Sequence, residues 1–125
     1  MRTKLSAALL LSLLYGSVLA SQGARHTIAV TFDYDFGIIP ACSSEVKLPC
    51  IQHFNLYDIS AGIPNRVRLG SIPVPSGARG LVKGISGTSE SHSFRSGKHM
   101  IAVSAQMPNG IESNLSECTT IVKIP

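Results

Sequence analysis

The chain has no tryptophan, its aromatic residues amount to 6%, and charged side chains make up only 14% of its 125 residues. So little charge beside 44% hydrophobic residues excludes an intrinsically disordered chain. Lysine and arginine never run together and are not interleaved with aromatics, which excludes a nucleic-acid surface built on phosphate contacts and base stacking. No glycine loop of the phosphate-cradling kind occurs, and the three cysteines are too few for a multi-disulfide framework. The length holds one domain and excludes large enzyme architectures.

Acid is also missing from the whole amino-terminal quarter, and the first acidic residue is Asp33. Arg2 and Lys4 lead into an apolar run from Leu5 to Leu14 broken only by Ser6 and Ser12, and the small residues Gly16, Ser17 and Ala20 follow. This order predicts a secretory signal peptide over residues 1–20, cleaved after Ala20, and a mature domain over residues 21–125. A membrane anchor is the competing reading, but the apolar run falls short of the roughly 20 residues that a spanning helix needs. No cysteine stands at the cleavage point to carry a lipid, and no later segment is apolar enough to span a membrane. Cleavage removes two basic residues and no acids, so the formal charge of +4 falls to a dispersed +2. The expected location is therefore extracellular or periplasmic, with no membrane span in the mature chain.

The mature chain carries no helical stripe. Ile28, Val30, Phe32, Tyr34 and Phe36 take every second position, with Thr27, Ala29, Thr31, Asp33 and Asp35 between them. Further runs are Ile51 with Phe54 and Leu56, then Val67 and Leu69, Leu81 to Ile85, Ile101 to Ala105, and Ile121 to Ile124. Breaker clusters separate them at Pro64-Asn65, Pro73-Val74-Pro75, Ser76-Gly77, Ser86-Gly87, Ser96-Gly97 and Pro108-Asn109-Gly110. Pro73 and Pro75 cannot donate ladder hydrogen bonds, so they predict an edge or a connection. The pattern predicts an all-β sandwich of six to seven strands.

Ser96-Gly97-Lys98-His99-Met100-Ile101-Ala102-Val103-Ser104-Ala105, followed by Asn109-Gly110-Ile111-Glu112-Ser113 and Ser116, resembles the penultimate strand and following turn of the bacterial extracellular fibronectin type III domain. Phe32 stands where that family has a core tryptophan, and Phe54-Asn55-Leu56-Tyr57 is similar to its third strand. The resemblance spans residues 26–124 and implies an immunoglobulin-like sandwich. Two departures stand out. The 22-residue separation from Phe32 to Phe54 implies an enlarged loop carrying Pro40, Cys42, Pro49 and Cys50. Cleavage after Ala20 leaves only Ser21 to Arg25 ahead of the first strong run, so the family's first strand is expected to be short or absent. The strand at 27–36 would then present an edge, covered by the stub or by another chain.

In an oxidising compartment three cysteines leave one over. Cys42–Cys50 is the favoured disulfide, closing a ring of about nine residues worth about 2.5 kcal/mol on the chain-entropy reckoning. Under the family topology Cys118 begins the last strand at the same end, so Cys50–Cys118 and Cys42–Cys118 stay open. No metal site is expected, since His53 alone beside the cysteines does not supply a ligand set. His26, His53, His92 and His99 sit in no nucleophile motif. Gly84-Ile85-Ser86-Gly87-Thr88 lacks the final glycine of a nucleophile elbow and reads as a turn. His99 takes the place of a corner tyrosine in the resembled family, which implies a structural hydrogen bond. Asp33 and Asp35 read as an exposed polar face and not, with Asp58, as a calcium cluster. Asn114-Leu115-Ser116 has the form of a glycosylation sequon, expected to be idle in a bacterial chain.

These readings predict a secreted, non-catalytic module with no cofactor, binding a protein or a cell-surface glycan through its end loops or an open sheet edge. The stapled loop at 37–50 and the turn at 108–116 are expected at one end. The alternative is a structural subunit of a surface assembly, completed by strand addition. A small Ser/His hydrolase stands third and requires a serine within reach of an oriented histidine.

Overall fold

The computed structural model describes residues 11–22, 25–43, 49–113, 115 and 119–125. Its strands are β1 (Leu11–Gln22), β2 (Arg25–Asp35), β3 (His53–Asp58), β4 (Val67–Pro73), β5 (Leu81–Thr88), β6 (His92–Ser93), β7 (Gly97–Gln106) and β8 (Thr120–Ile124). Short 3-10 turns occupy Ile63–Asn65 and Pro108–Gly110, each carrying a proline near its start.

The alternation in β2 decides how the layers face. His26, Ile28, Val30, Phe32 and Tyr34 point inward and are buried, while the residues between them are partly exposed. β2 is flanked by β1 on one side and by β5 and the short β6 on the other, and the facing sheet runs β4-β3-β7-β8. The strand pairings are antiparallel throughout. The fold is the all-β sandwich that the sequence predicts. Its centre is an aromatic cluster in which Phe32 meets Phe54 edge-on at 5.0 Å between ring centroids and Tyr34 meets Phe54 at 5.3 Å. Phe36 joins them 4.8 Å from Tyr34. Burial, and secondarily the neighbouring Asp35 charge, pushes the Tyr34 hydroxyl up to about 12.

Two findings alter the picture drawn from sequence. Gly84 to Thr88 is not a turn but part of β5. Register slips between Phe32 and Tyr34, so that Lys83 and Gly84 together face Asp33, and Gly84 adopts φ 72° with its N–H donating to Asp33 Oδ1 at 2.9 Å. Gly87 lies flat against the opposite sheet, where an added Cβ would stand 2.6 Å from Ile72 Cγ1. Both glycines serve strand geometry, which a breaker count reads as a bend.

The second finding concerns the first strand. In the full chain its place is filled by residues 11–22, most of which belong to the segment expected to be cleaved. They pair with β2 from Leu11↔Tyr34 to Gln22↔Arg25. Counted with β1 and the two-residue β6, the strands among the described residues number eight.

Candidate functional site

The loops joining β2 to β3, β4 to β5 and β7 to β8 converge on one end. Cys42 and Cys50 stand at disulfide distance there, with sulfurs 1.95 Å and Cα atoms 4.8 Å apart. The base of their loop is also zipped by backbone, since Cys42 N–H donates to Ile51 O at 2.9 Å and Ile51 N–H to Pro40 O at 2.8 Å. Cys118 lies outside the described residues, as do Asn114 and Ser116 of the sequon.

Facing this loop is the connection 73–80. Phe36 N–H donates to Gly80 O at 2.7 Å, which anchors that connection to the end of β2. Between the two walls opens a cleft of about 730 Å³, with the buried Phe36 and Ile51 among its lining and exposed Arg79 on the second wall. The second wall is thus not the turn that the sequence placed beside the stapled loop. Its signal was the pair Pro73 and Pro75, which marked a connection without showing what it faces.

The 108–113 segment does lie at this end, as the bond from Gln52 N–H to Gln106 O at 2.8 Å shows, but it folds over the outer face of the second sheet. Asn55, Tyr57 and Ser104 alternate outward on β3 and β7, and Glu112 reaches back onto them. Tyr57 Oη donates to Glu112 Oε2 at 2.7 Å, Asn55 Nδ2 donates to the same oxygen at 3.1 Å, and the Ser104 hydroxyl donates to it as well. Arg68 places Nε and Nη2 at 3.2 and 3.1 Å from Asn55 Oδ1. Burial pushes the Glu112 carboxyl up, yet the hydrogen bonds from Ser104, Tyr57 and Asn55 and the charge of Arg66 outweigh it and hold the group below its ordinary range. Burial and then Glu112 raise Tyr57. The arrangement clamps a loop to a sheet, and nothing in the local residue pattern marks it beyond the turn motif around Gly110.

At the opposite end, His99 Nδ1 lies 2.7 Å from Asp58 Oδ2 and its Nε2 lies 2.7 Å from Arg95 O. Ser60 Oγ donates to Asp58 Oδ1 at 2.6 Å and accepts from Met100 N–H at 2.9 Å. A notch of about 490 Å³ adjoins these groups. The carboxylate stands between hydroxyl and imidazole, so His99 is not oriented to take a proton from Ser60. Both ring nitrogens of His99 are thus engaged, one by the Asp58 carboxylate and one by the Arg95 carbonyl.

The remaining sequence-level residues are scattered. His92 Nε2 lies 3.0 Å from Leu69 O, and His53 stands partly exposed on β3. His26 is buried, with Nδ1 lacking a hydrogen-bond partner among the described residues. Asp35 Oδ1 accepts from Gly37 N–H at 2.7 Å, so Asp33 and Asp35 each receive a backbone N–H on the outer side of β2. Among the described residues no group of three His, Cys, Asp or Glu side chains is placed to hold a metal ion, and no helix is long and apolar enough to cross a membrane. Comparison of the chain with protein-family models, characterised proteins and solved structures returned no match.

Proposed function

We propose that the protein is a secreted, non-catalytic module of the fibronectin type III kind that binds a protein or a cell-surface glycan at the end carrying the Cys42–Cys50 loop. The observation that carries the reading is the cleft of about 730 Å³, whose size suits ligand capture and whose walls are tied down by a disulfide and by backbone hydrogen bonds. Support for the family comes from the chain's passage between sheets, with β1, β2 and β5 in one layer and β3, β4, β7 and β8 in the other. Support for export comes from the cysteine pair together with the amino-terminal pattern. The arrangement of Asp58, Ser60 and His99 favours a binding role over hydrolysis. The test is to probe a glycan array and a panel of immobilised surface proteins with the wild type, Ser76→Arg and Arg79→Ala. Binding that both cleft variants weaken at least tenfold is expected, and binding indifferent to them overturns the reading.

A second reading, a structural subunit completed by strand addition, is favoured by one observation. The edge of β2 is occupied over nine register pairs by a segment of which only Ser21 and Gln22 survive the expected cleavage.

A further inference from the structure

We infer that, once residues 1–20 are removed, the vacated edge of β2 takes up an extended segment of a partner protein, antiparallel to β2, with glycine facing Thr120 and Val122 and an apolar residue two positions later. The inference rests on the assembly reading above.

The edge is a main-chain template. Residues 14–18 pair without interruption against Phe32 to Ile28, and register shifts flank that stretch between Leu11 and Leu14 and between Val18 and Ala20. A cleaved chain leaves those β2 N–H and C=O groups of that stretch that face β1 without strand partners, while the others stay paired with β5, and proteins relieve such a condition by burying the edge or pairing it. A glycan or a nucleic acid does not reproduce the regular alternation of donors and acceptors that a peptide backbone supplies.

The side-chain requirement comes from β8. A Cβ added to Gly16 would stand 2.9 Å from both Thr120 Cγ2 and Val122 Cγ2, a separation that real Cβ atoms essentially never show. Val122 is 2% exposed, so it has little room to give way. Two residues on, Val18 packs partly buried against the core, while Ser17 between them is exposed. The slot therefore reads glycine, any residue, apolar residue, in the alternation of a half-buried strand. A second copy is the less suited donor. Strand segments of this chain with that pattern, such as Gly70-Ser71-Ile72 in β4, already serve its own core, where Ile72 is fully buried.

The test uses residues 21–125 and a synthetic peptide of the sequence Leu11–Gln22, compared with the same peptide carrying Gly16→Val or Val18→Asn and with a scrambled version. Saturable binding that raises the melting temperature and slows exchange of β2 amides is expected. At least tenfold weaker binding is expected for the glycine and valine variants. If residues 21–125 do not fold alone, the peptide is expected to fold them. No effect of the peptide, or equal binding of the Gly16→Val peptide, overturns the glycine rule. Concentration-dependent dimers of residues 21–125 that the peptide fails to dissociate overturn the choice of a foreign partner. Amino-terminal sequencing of the exported protein separates the two levels, because retention of residues 11–22 overturns the assembly reading whatever the peptide does.

Discussion

The two lateral edges of the sandwich use the same device to opposite ends. Along β4 and β5 the sheets close on Gly87, which sits against Ile72, and on Gly70, whose absent Cβ would meet the backbone of Ser89 and Glu90 at 3.5 and 3.4 Å. There Glu90 N–H crosses between the sheets to donate to Leu69 O at 3.0 Å, while Ser89 beside it prolongs the β5 ladder onto β2, its N–H donating to Ile28 O at 2.7 Å and its Oγ accepting from Ile28 N–H at 2.9 Å. Along β1 and β8 the sheets again close on a glycine, Gly16 against Thr120 and Val122. That closure is provided by residues 11–22, of which the proposed cleavage after Ala20 would leave only Ser21 and Gln22. One edge is sealed by chain within residues 21–125, and the other chiefly by chain that the proposed cleavage would remove. Glycine at a sheet junction thus reports close approach, while the permanence of the seal depends on covalent connection.

The largest effects should come from filling the two junctions. Gly87→Val drives a branched side chain into fully buried Ile72 and should remove about 3 kcal/mol of stability. The loss should be equal in the full chain and in residues 21–125, as read by urea denaturation. Gly16→Val should destabilise the full chain alone, by a smaller amount, since Thr120 lies at the partly exposed start of β8. A full chain unaffected by Gly16→Val would break the symmetry between the edges, because β1 would then not close the sandwich.

What the sequence made legible follows the range of the interactions. Period-two alternation exposed β2 and the aromatic core, because burial on one sheet face writes itself directly into neighbouring positions. The loop between Phe32 and Phe54 and its favoured disulfide were legible because Cys42 and Cys50 are close in the chain. Gly87 was misread as a turn because its reason is Ile72, which is remote in sequence and leaves no local mark. The cleft wall at 73–80 and the Glu112 clamp were hidden for the same cause: each depends on where a loop lands, and loop chemistry declares flexibility and turning without declaring direction. The occupation of the first-strand position by residues 11–22 was obscured differently, since an apolar run suits a targeting signal and a buried strand equally well.

Reduction of Cys42–Cys50 should be the next largest effect. The bridge closes the loop that carries the chain from β2, the strand that pairs with β1, across to β3. Opening it should lower stability by about 2.5 kcal/mol. The loss should be the same in both forms, yet residues 21–125 start with less reserve and should show the greater unfolded fraction at a given urea concentration. Denaturation curves recorded with and without reductant on both forms check this. An identical unfolded fraction in the two forms would mean that β1 adds nothing to the fold.

The smallest effect separates the edges by pH. Glu112 clamps the segment that leads toward β8, whereas among the described residues the bonds that reach β4 from the chain after β5 run from Glu90 N–H and the His92 ring to Leu69 O and not through a carboxylate. Folding holds the Glu112 carboxyl below its ordinary value of 4.5, so the folded state favours the ionised form more than the unfolded chain does. Its contribution is complete above pH 4.5 and is lost as the pH falls below that value toward the depressed folded one. Glu112→Gln keeps one acceptor oxygen and removes the charge, and for a group this open to solvent the loss near neutrality should be about 1 kcal/mol. Acidification of the wild type should therefore lower amide protection factors in β8 and the 111–113 segment before those of β4 and β5, and Glu112→Gln should abolish that order. Simultaneous loss of protection at both edges on acidification would show that the clamp does not set the stability of the β8 side.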